Sequence, residues 1–268
     1  MARCIICKHN SDQSKSVEHI VPESFGNKNF VLPKGVVCDK CNNYISRKIE
    51  RPFLNDPYIK EIRFNSRVLS KKKKSPIIEG MHLQTSSHIG LSFDVNDHSI
   101  NVGAIREKDE EKWVHSVLRK ELGTLIIPAP EKPDRYLMSR FLAKVALEAF
   151  AEIALRVPGG IDEIIDKEEL DELRQYIRRG SQTVWPYTER RIYPVNKKFQ
   201  DGNEQYEILH EYVIFKTDID EYYLIFCLNG IEYALNLGGA EIEGYENWLK
   251  QNKDMSPLYI GELKERHQ

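Results

Sequence analysis

Four cysteines within the first 41 residues constrain this chain more than any other feature. Cys4-Ile5-Ile6-Cys7 and Cys38-Asp39-Lys40-Cys41 are two C-x-x-C pairs with 30 residues between them. Zinc takes four thiolates at the corners of a tetrahedron, roughly 2.3 Å from the ion, and two such knuckles supply them with little chain strain. The start Met1-Ala2-Arg3-Cys4 lacks the positive-then-apolar layout of a secretory signal. In the cytoplasm that this suggests, clustered cysteines point to metal rather than disulfides. The expected ion is Zn2+ on Cys4, Cys7, Cys38 and Cys41. Four sulfurs close its shell and leave no position for water, so this zinc is structural. Its binding free energy offsets the small core of a segment that ends near residue 55. The fifth cysteine, Cys227, lies in the apolar run Leu224–Leu228 and is expected to pack.

Between the knuckles runs Val17-Glu18-His19-Ile20-Val21-Pro22-Glu23-Ser24-Phe25-Gly26. The cysteines already satisfy zinc, so His19 is not needed as a ligand. A histidine between apolar neighbours is ordinarily a packed structural residue. Its company changes that reading: an acid directly before it, Pro22 and Gly26 after it, and Cys38-Asp39-Lys40-Cys41-Asn42-Asn43 downstream. Together these motifs, in this order and spacing, resemble the HNH nuclease family of the ββα-metal type. The likeness covers about a fifth of the chain, from Cys4 to near Glu50.

The resemblance implies a strand bearing the acid–histidine pair, a loop, and a helix beginning just after the last cysteine. It makes His19 the general base, and Glu18 and Asn42 the holders of one divalent cation, Mg2+ or Mn2+. Asn42 would open the helix, with Ser46 and Glu50 one and two turns along the same face. Glu50 is then either an outer ligand or the partner of Arg47 or Arg51 in a surface ion pair. The implied reaction is phosphodiester hydrolysis leaving a 5′-phosphate and a 3′-hydroxyl. Three positions depart from the family pattern: Pro33 stands where a middle Asn is usual, Gly26-Asn27 replaces Gly-Gly, and Asn42 replaces the commoner His. Asn27 or Asn29 would have to orient His19 in place of the middle Asn.

Charge supports a polyanionic partner for the first part of the chain only. Residues 1–79 hold 16 Lys and Arg against 8 Asp and Glu, leaving 23 against 33 for the remainder. Arg47, Lys48 and Arg51, followed by the run Lys71-Lys72-Lys73-Lys74, suit phosphate contact without sequence choice. A solvated loop explains the lysine run equally well. Arg174, Arg178 and Arg179 form either a phosphate-facing stripe or an exposed helix face. Tyr187, Arg190, Arg191 and Tyr193 around Trp185-Pro186 suit base stacking or ordinary strand packing.

The expected class is α+β: a zinc-bound, treble-clef-like ββα-metal module over residues 1–55, then a larger mixed domain over 56–268. Alternation in 89–95 and 99–102 predicts a hairpin. Residues 136–156 predict a buried helix whose one polar stripe is Arg140, Lys144, Glu148 and Glu152. A second helix is expected over 167–179, capped by Asp166 and stopped by Gly180. Strands are expected over 206–216, 222–228 and 231–237, with Asn229-Gly230 as a hairpin turn, and a last helix near 241–250. No apolar run approaches the roughly 18 residues that cross a bilayer. The function these features favour is a metal-dependent endonuclease on double-stranded DNA, with restriction or antiphage defence suggested by family analogy. The larger domain would serve substrate choice, homodimer formation or regulation. The rivals are a zinc finger that binds nucleic acid without cutting it and an RNA-associated structural protein.

Overall fold

The computed structural model describes residues 2–121, 123–195, 197–201 and 203–259. In chain order its elements begin with β1 (Glu18–His19), β2 (Val31–Leu32), α1 (Asp39–Ile45), α2 (Arg51–Asn55) and α3 (Pro57–Asn65). They continue with β3 (Ile78–His82), β4 (Ser87–Phe93), β5 (Ile100–Ala104), α4 (Glu107–Leu118), β6 (Leu125–Ile126) and α5 (Arg135–Ala154). The last are α6 (Gly160–Asp166), α7 (Asp171–Arg179), β7 (Thr188–Arg191), β8 (Lys198–Asp201), β9 (Glu204–Glu207), β10 (His210–Lys216), β11 (Tyr222–Leu228), β12 (Ile231–Asn236) and α8 (Glu243–Gln251). Helices and antiparallel strands stand side by side, so the class is α+β.

Contacts divide the chain into two compact units. One gathers Met1–Pro22, Asn27–Pro52 and Arg135–Gln268; the other gathers Glu23–Gly26 and Phe53–Asp134. This grouping runs across the boundary expected after residue 55, which rests on where the motifs stop rather than on packing.

In the first unit α5 is the post around which the other elements pack. Met138, Phe141, Leu142, Val145, Ala146 and Leu147 are all fully buried, because apolar residues cover most of its circumference. It contacts α6, α7 and the sheet ordered β10-β11-β12-β7, where Phe141 meets Phe226 edge-on at 5.8 Å. Asn229 and Gly230 both take positive φ, 50° and 80°, between β11 and β12, the backbone an Asn-Gly hairpin turn requires. Beyond the sheet, Tyr245, Trp248 and Leu249 of α8 close a second cluster on Tyr223 and Ile225.

Two expected elements resolve differently. The helix expected over 167–179 starts later, as α7 at Asp171 after a short 3-10 turn at Glu168–Leu170, and α6 ahead of it was not expected. Lys167 turns extended, with ψ 109°, after α6 ends at Asp166, and α7 starts only at Asp171. Asp166 therefore caps nothing; its carboxylate takes two bonds from Arg3, at 2.6 and 2.9 Å. The strand expected over 206–216 is likewise split between β9 and β10.

The second unit is built on the antiparallel sheet β5-β4-β3-β6, with α4 against β4 and β5 and α3 against β3. The hairpin expected over 89–102 is its β4–β5 pair, with Leu91 opposite Val102. Asp109 of α4 is buried and accepts the His88 N–H at 3.0 Å. Among the described residues, no helix is long and apolar enough to cross a membrane.

Candidate active site

The two cysteine pairs meet. Their four sulfurs lie within 4.8 Å of one another, and Cys7 Sγ is 3.8 Å from Cys38 Sγ. A tetrahedron with zinc–sulfur bonds of roughly 2.3 Å has edges near 3.8 Å, so the donor set suits a structural zinc ion. Among the described residues, no other group of three or more His, Cys, Asp or Glu ligand atoms gathers this closely. The backbone forms the knuckles by local turns: Lys8 N–H returns to Cys4 O at 2.8 Å, and Ile5 N–H crosses to Val36 O at 3.0 Å. Gly35, with φ 90°, supplies the second knuckle's left-handed turn. Without a metal, the Cys4 thiol is held down to about 5 by hydrogen bonds from Cys41 and from the Cys38 N–H. Burial pushes Cys7 up, and the bond to Cys4 pushes Cys41 up.

Cys38 is also the N-cap of α1, its sulfur accepting the Cys41 N–H at 3.4 Å. The helix therefore starts at Asp39, between the last two cysteines, and Asn42 lies inside it instead of opening it. Metal and helix start share one residue. The helix then continues through a π-helical turn at Ser46–Glu50, where the Arg51 N–H reaches back to Ser46 O; such turns are rare and cost regular hydrogen bonding.

Glu18 and His19 are strand β1, paired antiparallel with β2 so that Glu18 faces Leu32 and His19 faces Val31. Two strands and a helix on a cysteine staple are the ββα arrangement expected. His19 is half-buried and outside the cysteine group. Asn27 orders the loop between the strands. Its Nδ2 donates to Val21 O at 2.6 Å and Phe30 O at 3.0 Å, and its Oδ1 accepts from Asn29 and Phe30. Of the two asparagines considered for the middle position, Asn27 is the buried one.

Glu18 and Asn42, the donors expected for a second cation, are both engaged. Asn42 Nδ2 donates to Val17 O at 2.9 Å, which leaves Oδ1 as its one ligand atom. Glu18 is 5% exposed, and its Oε1 lies 2.9 Å from Lys144 Nζ. The same ammonium is 2.9 Å from Glu50 Oε1 and 2.9 Å from Glu148 Oε2, and donates to His19 O at 2.5 Å and Ile20 O at 3.1 Å. Burial alone would lower the Lys144 pKa, but Glu148, Glu18 and Glu50 outweigh it and hold the pKa well above its ordinary value. Burial pushes Glu18 and Glu148 upward, Glu148 well above the usual carboxylate range. As arranged, one neutral amide oxygen and one carboxylate already paired with an ammonium do not fit a preformed site for a hard cation.

Glu50 thus pairs with Lys144, where the expectation was either an outer cation ligand or a surface partner of Arg47 or Arg51. Arg47, Lys48 and Arg51 are exposed, as are Lys71 to Lys74 in the other unit; Lys71 lies 3.6 Å from Glu23. Arg174 is not a phosphate contact, since it is 3% exposed and spent on internal bonds. Arg190 pairs with the buried Glu232 at 2.5 Å, so strand packing accounts for it.

Residues 4–57 match the family described as HNH endonuclease. No curated protein and no solved structure matches the chain. The match covers the HNH segment alone, from the first zinc knuckle to the first residue of α3, and supports a nuclease or nucleic-acid-binding role.

Lys144 is the side chain at the candidate site that the motifs alone did not place there. Its signal was present. Arg140, Lys144, Glu148 and Glu152 are the polar stripe of an otherwise apolar helix, and three of the four serve the packing against the HNH segment. Arg140 donates to Tyr44 OH and Lys48 O at 3.1 and 3.4 Å, Lys144 meets Glu18 and Glu50, and Glu148 pairs with Lys144.

Proposed function

We propose that the chain is an endonuclease that hydrolyses phosphodiester bonds of double-stranded DNA, with His19 as general base. The observation that carries this reading is the placement of His19 on β1 of a cysteine-stapled ββα unit, half-buried and not consumed by the cysteine cluster. A phosphodiester resists hydrolysis because its charge repels hydroxide. A neutral imidazole, with an ordinary pKa of about 6.5, can take a proton from attacking water near neutral pH. Exposed Arg47, Lys48 and Arg51 supply phosphate attraction without base choice. Lys71 to Lys74 of the other unit, also exposed, suit phosphate contact in their own right. Magnesium or manganese is the cation with which the reaction is to be tested, and Glu18 and Asn42 are the donors the family pattern assigns to it. Restriction or antiphage defence is the biological setting proposed, and homodimerisation the assembly.

A second reading has one observation in its favour. Because Glu18 is committed to Lys144, a zinc-stapled module that binds nucleic acid without cutting it is also consistent with the geometry. One assay separates the two. Zinc-loaded protein is incubated with supercoiled plasmid and magnesium or manganese, and the ends are analysed. The endonuclease reading expects nicked and linear product bearing 5′-phosphate. Retarded but uncut plasmid would support the binder instead.

A further inference from the structure

We infer that Lys144 is the resident cation of the acidic pocket behind His19, so that Glu18 acts as a positioning residue and not as a ligand of a divalent ion. Five oxygens surround Lys144 Nζ: Glu18 Oε1, Glu50 Oε1 and Glu148 Oε2 at 2.9 Å, with His19 O at 2.5 Å and Ile20 O at 3.1 Å. Three carboxylates and two carbonyls are the donor chemistry of a hard-cation shell. Nζ donates its three N–H groups to His19 O, Ile20 O and Glu50 Oε1 and pairs with Glu18 and Glu148 through charge, so an ammonium already fills the centre of that shell.

The cage is largely buried, Glu50 being its most exposed carboxylate at 15%. Lys144 and Glu148 are wholly buried on α5, Glu18 comes from β1, and Glu50 comes from the π-helical turn. A divalent ion on Glu18 would stand beside a fixed positive charge in a poorly screened interior, where like charges repel most strongly. Lys144 instead binds the backbone carbonyl of His19 itself, and that of the next residue. It thereby fixes the strand from which His19 works, and Glu18 keeps it there. The π-helical turn is the segment that carries Glu50 to the cage.

The inference bears on how the proposed nuclease works, and so rests on that reading for its catalytic meaning; the binding measurement below does not. Full-length, zinc-loaded protein is titrated with manganese alone, with paramagnetic broadening read at the backbone amides of Glu18, His19, Ile20 and Lys144. No selective broadening is expected at these amides, and Glu18→Gln should leave the manganese isotherm unchanged. One manganese bound by wild type with selective broadening at Glu18, or a site lost in Glu18→Gln, overturns the inference. The wild-type broadening stands even where the variant folds poorly. In cleavage assays Glu18→Gln should lower kcat by about tenfold, a loss typical when a group that orients a functional residue is removed. KM for DNA and the manganese concentration for half-maximal rate should not move. A rise in that manganese concentration would again overturn the inference. A wild type that binds DNA but cuts nothing would defeat the nuclease reading alone, since the manganese titration still reads out the cage.

Discussion

Arg174 reaches from α7 into the first zinc knuckle with each of its guanidinium nitrogens bonded. Its Nε donates to Ile5 O at 2.8 Å, between Cys4 and Cys7, while its other nitrogens bond Ile164 O, Lys167 O and Asp171. Replacing it by Ala strands buried carbonyls, each costing about 1–3 kcal/mol when left without a partner. Arg174→Ala should therefore lower unfolding stability by roughly 3 kcal/mol and speed zinc release to a chelator; denaturant melts and a zinc-indicator dye check both. Unchanged melting and release would show the clamp to be incidental. An arginine of this kind reads as surface in a sequence, because nothing in Asp171–Arg179 says which carbonyls lie above the helix. The cysteines are different: four identical soft donors at C-x-x-C spacing have few uses, so their meeting was legible from spacing alone. The pairing of Glu18 with Lys144 was not legible, since it spans more than a hundred residues of chain.

Elements were legible where one strong local rule governed them. Helix α5 declared itself through an apolar surface broken by a single stripe, and the β11–β12 hairpin through Asn229-Gly230. Strand β1 is two residues long, too short for periodicity to show; only the surrounding motif located it. The late start of α7 was not legible, because Asp166 before Lys167 looks like an N-cap until Arg3 is known to hold it. Helices α3 and α4 and strand β3 lie in stretches with mixed charge and no clean period, so their form depends on partners within their own unit. Strand β8 was missed for the same reason, while its partner β9 overlaps the start of the strand expected over 206–216.

At the scale of the molecule, the zinc staple alone does not complete the HNH segment. Residues 1–22 and 27–52 share a compact unit with 135–268, and three cations contributed from that later part, Arg140, Lys144 and Arg174, are bonded into the segment. Without Lys144, Glu18 loses its buried partner, and breaking a buried ion pair in this one-sided way costs about 3–5 kcal/mol. A fragment of residues 1–57 should therefore bind zinc yet show a broad, low-temperature unfolding transition and poorly dispersed amide resonances. A fragment that melts as cooperatively as the full chain would instead make the segment an independent domain ending near residue 55.

The central claim is that His19 is the base of a phosphodiester hydrolase, and the direct measurement is the cleavage rate of His19→Ala at matched zinc content. His19 lies outside the cysteine cluster, so the variant should keep its zinc, its fold and its DNA affinity. Its cleavage rate should fall by about 10²–10⁴, as removal of a general base typically requires. A variant that retains zinc and fold and still cuts DNA at the wild-type rate would contradict the assignment.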